Sequence, residues 1–256
     1  MIVSLIHSFQ SEWLKKKRSA ASWLVITGSF FIPLIILIAS LTDPETTYAI
    51  TKSDKYWETL FRHSSGPMAM FLLPMGVILA TSLVTQLEFK NNTWKQLHTT
   101  PQSLTTVFFT KLGVIITMML QFFVLFNVCV YLCGILPSLF LKATSFPVEP
   151  FPFKFILKAN LKLFIDCLPI IALQYLLGLK FKNFLGPVGI GLGLYIAAMI
   201  SISWQYGYLI PYTYCALNIQ RGAVNPSVNV HYWAIGYFIT ITAVSYFLYL
   251  TKKEKG

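Results

Sequence analysis

Charge is scarce in this chain. Only 11% of its 256 residues are Asp, Glu, Lys or Arg, and 55% are hydrophobic. A soluble domain carries roughly a quarter charged residues, so water is excluded as the main solvent. Apolar runs near 20 residues recur along the chain, the length that spans a bilayer as a helix. Acid is scarcer still, with nine Asp and Glu against 20 Lys and Arg and a net charge of +11. In a soluble protein that imbalance would point to nucleic acid. Here the charges sit between the apolar runs, so they report topology, and no nucleic-acid partner is expected.

Catalytic signatures are missing as well. There is no P-loop lysine pattern to cradle nucleotide phosphates. There is no HExxH and no GxSxG, which removes the parts of a zinc protease or a serine hydrolase. His7, His63, His98 and His231 fall in four different segments and do not converge on one metal. Cysteine is sparse: Cys129, Cys133 and Cys167 lie in apolar runs, and Cys215 lies in an aromatic segment. Buried thiols behave as small apolar residues, so neither a zinc site nor a disulfide is expected. No catalytic residue, metal or cofactor is assigned to this chain.

What is present is a set of six apolar runs, at about 19–41, 66–87, 106–132, 161–179, 184–207 and 232–250. Within a bilayer the backbone must satisfy its own hydrogen bonds, so each reads as a helix. Pro33, Pro74 and Pro169 are expected to kink their helices. The first run follows a basic cluster, yet it is too long for a signal peptide and ends in no small-residue cleavage site. It reads as a retained anchor. Residues 1–18 form a separate element. Ile2, Leu5, Ile6, Phe9 and Trp13 recur at helical spacing, and Lys15 to Arg18 close it with positive charge. That pattern predicts an amphipathic helix in the membrane surface.

The expected fold is therefore all-α and polytopic: an amphipathic surface helix at 1–18, then a six-helix domain at 19–256. With the N-terminus inside, twelve of the 20 Lys and Arg fall on the cytoplasmic face and eight on the other. Lys and Arg favour the cytoplasmic side, so both termini are expected there. Lys154, Lys158 and Lys162 lie outside on this topology and share one helix face.

Two intramembrane features stand out. Asp166, in LFIDCLP, is the one acid within a span. Such a group binds a cation, relays a proton or contacts substrate, unless it pairs with Lys162 one turn earlier. Its solitude argues against a proton-driven carrier. Gly189 and Gly193, in GPVGIGLG, make a small-xxx-small pair suited to close helix packing.

The most informative stretch is LEFKNNTWKQLHTTPQ, residues 87–102. It places Glu, Lys, Asn and Trp between two apolar runs, on the expected cytoplasmic side. Asn91 and Asn92 suit a helix start, Trp94 and Leu97 share a face, and Pro101 ends the turn. A short helix lying across the membrane face fits; an interfacial loop anchored by Trp94 is the alternative.

An acid leaving the second span, then Thr-Trp-Lys-Gln-Leu and a Pro, resembles the membrane subunits of ABC-2 type transporters. The nearest likeness is to permeases of the lantibiotic-immunity and bacitracin-resistance kind. The aromatic segment YLIPYTYCALNIQ before the last span looks like that family's re-entrant outer helices. The outer loop KATSFPVEPFPFKFILK departs from it in length and basicity. The resemblance implies a coupling helix that docks on a separate ATP-binding cassette subunit, with Glu88, Asn92, Thr93, Trp94, Lys95 and Gln96 at the contact. It implies ATP and Mg on that partner, a second permease subunit, identical or merely similar, and a bacterial cytoplasmic membrane. The expected function is export of an amphipathic peptide, antibiotic or lipid-like compound. An ATP-independent channel or carrier, and a membrane assembly scaffold, are the alternatives.

Overall fold

A computed structural model describes residues 2–17, 19–43, 55–90, 103–140, 146–147, 149–220 and 228–251. The described residues are almost entirely helical and contain no strand. In chain order the helices are α1 (Ile2–Lys17), α2 (Ala20–Thr42), α3 (Tyr56–Pro67), α4 (Leu73–Lys90), α5 (Leu104–Phe140), α6 (Phe153–Lys180), α7 (Leu185–Ser201), α8 (Tyr214–Ile219) and α9 (Val230–Leu250). A five-residue π turn, Met68–Leu72, joins α3 to α4 without a break.

Four helical segments are long and apolar enough to cross a membrane: Ala20–Thr42, Tyr56–Leu87, Leu104–Phe140 and Val230–Leu250. They correspond to the first, second, third and sixth expected spans. The fourth expected span lies within α6, whose first half carries Lys154, Lys158, Lys162 and Asp166. The fifth is the 17-residue α7. At 1.5 Å per residue α7 is about 26 Å long, just under the roughly 30 Å hydrocarbon core.

Helices run further than hydropathy marks. The second span begins at Tyr56 rather than near residue 66, because YWETLFRHSSG is helical despite its polar residues. Ser64 and Ser65 hide their hydroxyls by donating to Leu60 O and Arg62 O. Tyr56, Trp57 and Phe61 are buried. Trp57 stacks on Tyr131 and meets Phe151 edge-on, and its indole N–H donates to Glu149 O at 2.9 Å. That aromatic knot ties α3 to α5 and to the segment before α6.

The π turn has a local cause. It lies between Pro67 and Pro74. Proline has no N–H and crowds the carbonyl four residues earlier. For Pro74 that carbonyl belongs to Met70, and Tyr195 Oη from α7 donates to it at 2.6 Å. Leu73 N reaches back five residues to Met68 O, which is the wide turn itself.

The core runs through the middle of the bundle. Met68, Leu73, Ile78, Ile115, Met118, Phe126, Ile170 and Ile171 are all buried in it. The most extensive helix pairings are α6 with α9, α2 with α5, and α4 with α6. α6 is therefore a hub, and α2 and α9 are largely exposed along their flanks.

α1 lies along the first half of α5. Ser8 Oγ and Thr110 Oγ1 are 3.3 Å apart, and Phe9 sits beside Gly113. Lys16 is buried, with its ammonium 3.6 Å from the centre of the Trp13 ring and donating to Gln121 Oε1 at 3.1 Å. The opposite side, with Ile6 and Leu14, is exposed.

Candidate functional site

The suspected coupling element begins where α4 ends. Glu88 lies on the last turn of α4. Asn92, Thr93, Trp94, Lys95 and Gln96 lie outside the described residues. The structure does show how the two flanking helices are anchored. At the start of α5, Phe108 is fully buried against Tyr175 of α6 and Tyr246 and Tyr249 of α9. Tyr175 Oη donates to Phe108 O at 2.9 Å, and Thr105 Oγ1 and Tyr246 Oη are 2.8 Å apart. At the end of α4, Thr85 packs into the space left by Gly178 of α6; a methyl group there would overlap its side chain. Gln86 Nε2 reaches Phe181 O at 3.5 Å. Both helices leaving the element are thus fastened to α6, and α5 to α9 as well.

At the middle of α6, Asp166 is completely buried. Its partner is not Lys162. Oδ1 lies 2.7 Å from Nδ1 of His231, at the start of α9. Asn218 and the charge of Lys162 also act on the carboxylate. Asn229 caps α9 by accepting from His231 N at 3.1 Å, which fixes the histidine at the helix entrance. Oδ2 of Asp166 and Oη of Tyr214 are buried without a hydrogen-bond partner among the described residues. Sequence spacing hid this pair: the two residues are 65 positions apart, and only the packing of α9 along α6 brings them together.

Between α7 and α9 the chain folds back. Two 3₁₀ turns, Gly207–Leu209 and Pro211–Thr213, lead into the six-residue α8. Tyr212, Thr213, Tyr214, Cys215 and Ala216 are buried there. Gln174 Nε2 of α6 donates to Tyr212 Oη at 2.9 Å. The same Gln174 side chain occupies the place where a Cβ would stand on Gly191 of α7. Close packing of α7 within the chain therefore falls at Gly191. Gly189 and Gly193 face outward, and a Cβ at either would meet nothing within 4 Å.

Among the described residues, no group of three or more His, Cys, Asp and Glu stands together as a metal site. The four cysteines are free and buried.

The sequence profile of a family described as ABC-2 family transporter protein matches residues 8–198. The chain belongs to the ABC-2 transporter family. The match runs from α1 through most of α7 and so includes residues 87–102, the π turn and Asp166. This ABC-2 protein is a multi-pass membrane component of a transporter. No curated protein and no solved structure matches it.

Proposed function

We propose that the chain is the permease subunit of an ATP-driven exporter. Six segments cross the membrane in this reading, with α6 and α7 as the fourth and fifth, and both termini are cytoplasmic. Residues 91–102 form the coupling helix on a separate ATP-binding cassette subunit, with Glu88, Asn92, Thr93, Trp94, Lys95 and Gln96 at the contact. ATP and Mg are held by that partner, and a second permease subunit completes the pathway in a bacterial cytoplasmic membrane. The cargo is an amphipathic peptide, antibiotic or lipid-like compound, as in the lantibiotic-immunity permeases that the stretch resembles.

One observation supports the reading above others. In a member of a transporter family, the two helices flanking residues 91–102 are both fastened to α6. A push on the segment between them is carried to α6, and through Phe108 to α9. A partner that binds two arrangements of these helices with different affinity shifts their populations, as alternating access requires.

The test is co-purification. The native chain, expressed in its own host, is expected to retain an ATP-binding cassette ATPase through detergent extraction. Changing Trp94 and Lys95 together to alanine is expected to release it while the permease remains folded. ATPase retention by the folded double variant would place the contact elsewhere. Cargo efflux from liposomes containing this chain alone would favour the passive carrier.

A further inference from the structure

A second feature lies on the opposite side of α6 from Asp166. The first half of α6 and the middle of α5 enclose a groove of about 760 Å³. Val124, Val128, Tyr131, Leu157, Leu161 and Phe164 are among its lining residues. Most of these are exposed: Val124 by 64%, Leu157 by 55% and Leu161 by 57%. The groove is therefore open along the flank of the bundle, where acyl chains lie. Its polar residues, Asn127 and Asn160, bond to one another at 3.0 Å.

A row of cations borders this groove. With 100° between successive helix positions, Phe153, Leu157, Asn160, Leu161 and Phe164 of α6 cover one arc, and Lys154, Lys158 and Lys162 follow at its edge. Lys154 and Lys158 are exposed and enter no ion pair among the described residues. Arg62 of α3 adds a guanidinium at the same end, 5.4 Å from the Phe155 ring. Glu58 pairs with that guanidinium at 3.9 Å, and Glu149 is turned toward Trp57, whose backbone N–H it accepts at 3.4 Å.

An apolar slot with exposed lysines at its edge matches one kind of occupant. We propose that this groove binds an anionic phospholipid of the surrounding bilayer, an acyl chain against Val124, Val128 and Leu157 and the phosphate head group on Lys154 and Lys158. Anionic head groups attract lysines at the membrane surface, and lysine side chains reach toward that level along their own methylenes. Lysines rather than acids on this outer end also account for the basic character of the segment leading into α6. The site depends on the membrane location of the chain and not on the direction or the energy source of transport.

The experiment uses the full chain, purified in mild detergent and exposed to phosphatidylglycerol or phosphatidylcholine of the same acyl composition. Bound lipid is counted by native mass spectrometry, with thermal unfolding in parallel. The native chain is expected to retain phosphatidylglycerol selectively and to unfold at a higher temperature with it. K154Q/K158Q, on exposed positions, is expected to unfold as the native chain does without lipid and to bind phosphatidylglycerol about thirtyfold more weakly. Val128→Trp, which fills the slot, is expected to lose both lipids. Inorganic phosphate is expected not to displace bound lipid. Equal retention of the two lipids by the native chain overturns the proposal. So does undiminished selectivity in K154Q/K158Q, or displacement by phosphate alone.

Discussion

Oδ1 of Asp166 and Nδ1 of His231 meet at 2.7 Å, joining the middle of α6 to the first turn of α9. The carboxylate is fully buried, so the histidine is its nearest compensation. Breaking a buried pair by removing one partner typically costs 3–5 kcal/mol, because the other is left uncompensated. His231→Ala is therefore expected to destabilise the chain by about 3 kcal/mol. The double variant D166N/H231Q is expected to lose less than the sum of its single changes. Thermal unfolding in detergent across this double-mutant cycle measures the coupling; strictly additive losses would mean that the pair does not act as one.

Glycines on α7 separate into two classes. Gly191→Ala drives a methyl group into the Gln174 amide and disturbs its bond to Tyr212. A loss of about 1–3 kcal/mol is expected, as for other overpacked sites. Gly189→Ala and Gly193→Ala meet open space and are expected to be neutral or to gain up to about 1 kcal/mol from helix propensity. Comparing the three unfolding temperatures decides it, and equal losses would contradict the packing described.

Tyr195 and Pro74 are coupled through a third group, the Met70 carbonyl. Tyr195→Phe removes the hydroxyl that donates to it, at an expected cost of about 1–3 kcal/mol for a buried acceptor left alone. Pro74→Ala returns a backbone N–H on the same side of that carbonyl. The cost of Tyr195→Phe is then expected to shrink in the Pro74→Ala background. A cost that is the same in both backgrounds would show that the carbonyl is not the link.

Lys16 gives a dependence on pH. Burial pushes its ammonium below the ordinary lysine value of 10.5. The unfolded chain therefore binds the proton more tightly than the folded one between the lowered value and 10.5. Stability rises with pH wherever the unfolded state holds more protons, so the native chain is expected to gain stability as pH climbs through that window. Lys16→Met is expected to flatten the rise. Unfolding midpoints taken from neutral to pH 10.5 provide the test, and an unchanged slope in the variant would assign the effect to another group.

Much of the architecture was written in apolar run length. Runs of Leu, Ile, Phe and Val with nothing to break them become helices in lipid for want of any other partner for the backbone, and each of the six expected spans overlaps a helix, although the fifth stops at Ser201, short of its expected end near 207. Their ends were not legible in the same way. Ser64, Ser65 and Arg62 look like a loop by composition, but their hydroxyls and carbonyls close on one another inside a helix. Lys154, Lys158 and Lys162 did disclose the early start of α6, since spacing by four is a helical property whatever the polarity.

The sites were legible only where their parts are adjacent in sequence. The stretch at 91–101 carries Asn, Trp, Lys and Pro within a dozen positions, and its proposed coupling role lies outside the described residues. The partner of Asp166 carries no such cluster, because His231 arrives from the start of another helix. A histidine just after an Asn cap is a local hint that it is held in place, but it names no acid. Gly191 was masked by its neighbours: the four-residue spacing of Gly189 and Gly193 satisfies the familiar pattern, while the glycine between them is the one with a side chain against it.

The wide turn at Met68–Leu72 has a geometric corollary. A π turn holds one more residue than the α turn it replaces. Wound as regular α-helix, the same residues would make α3 and α4 one straight rod and would swing everything beyond the turn by about 100°. Thr85 would leave Gly178. The bearing of the end of α4 is thus set some twenty positions away, by a one-residue surplus in the middle of the bundle.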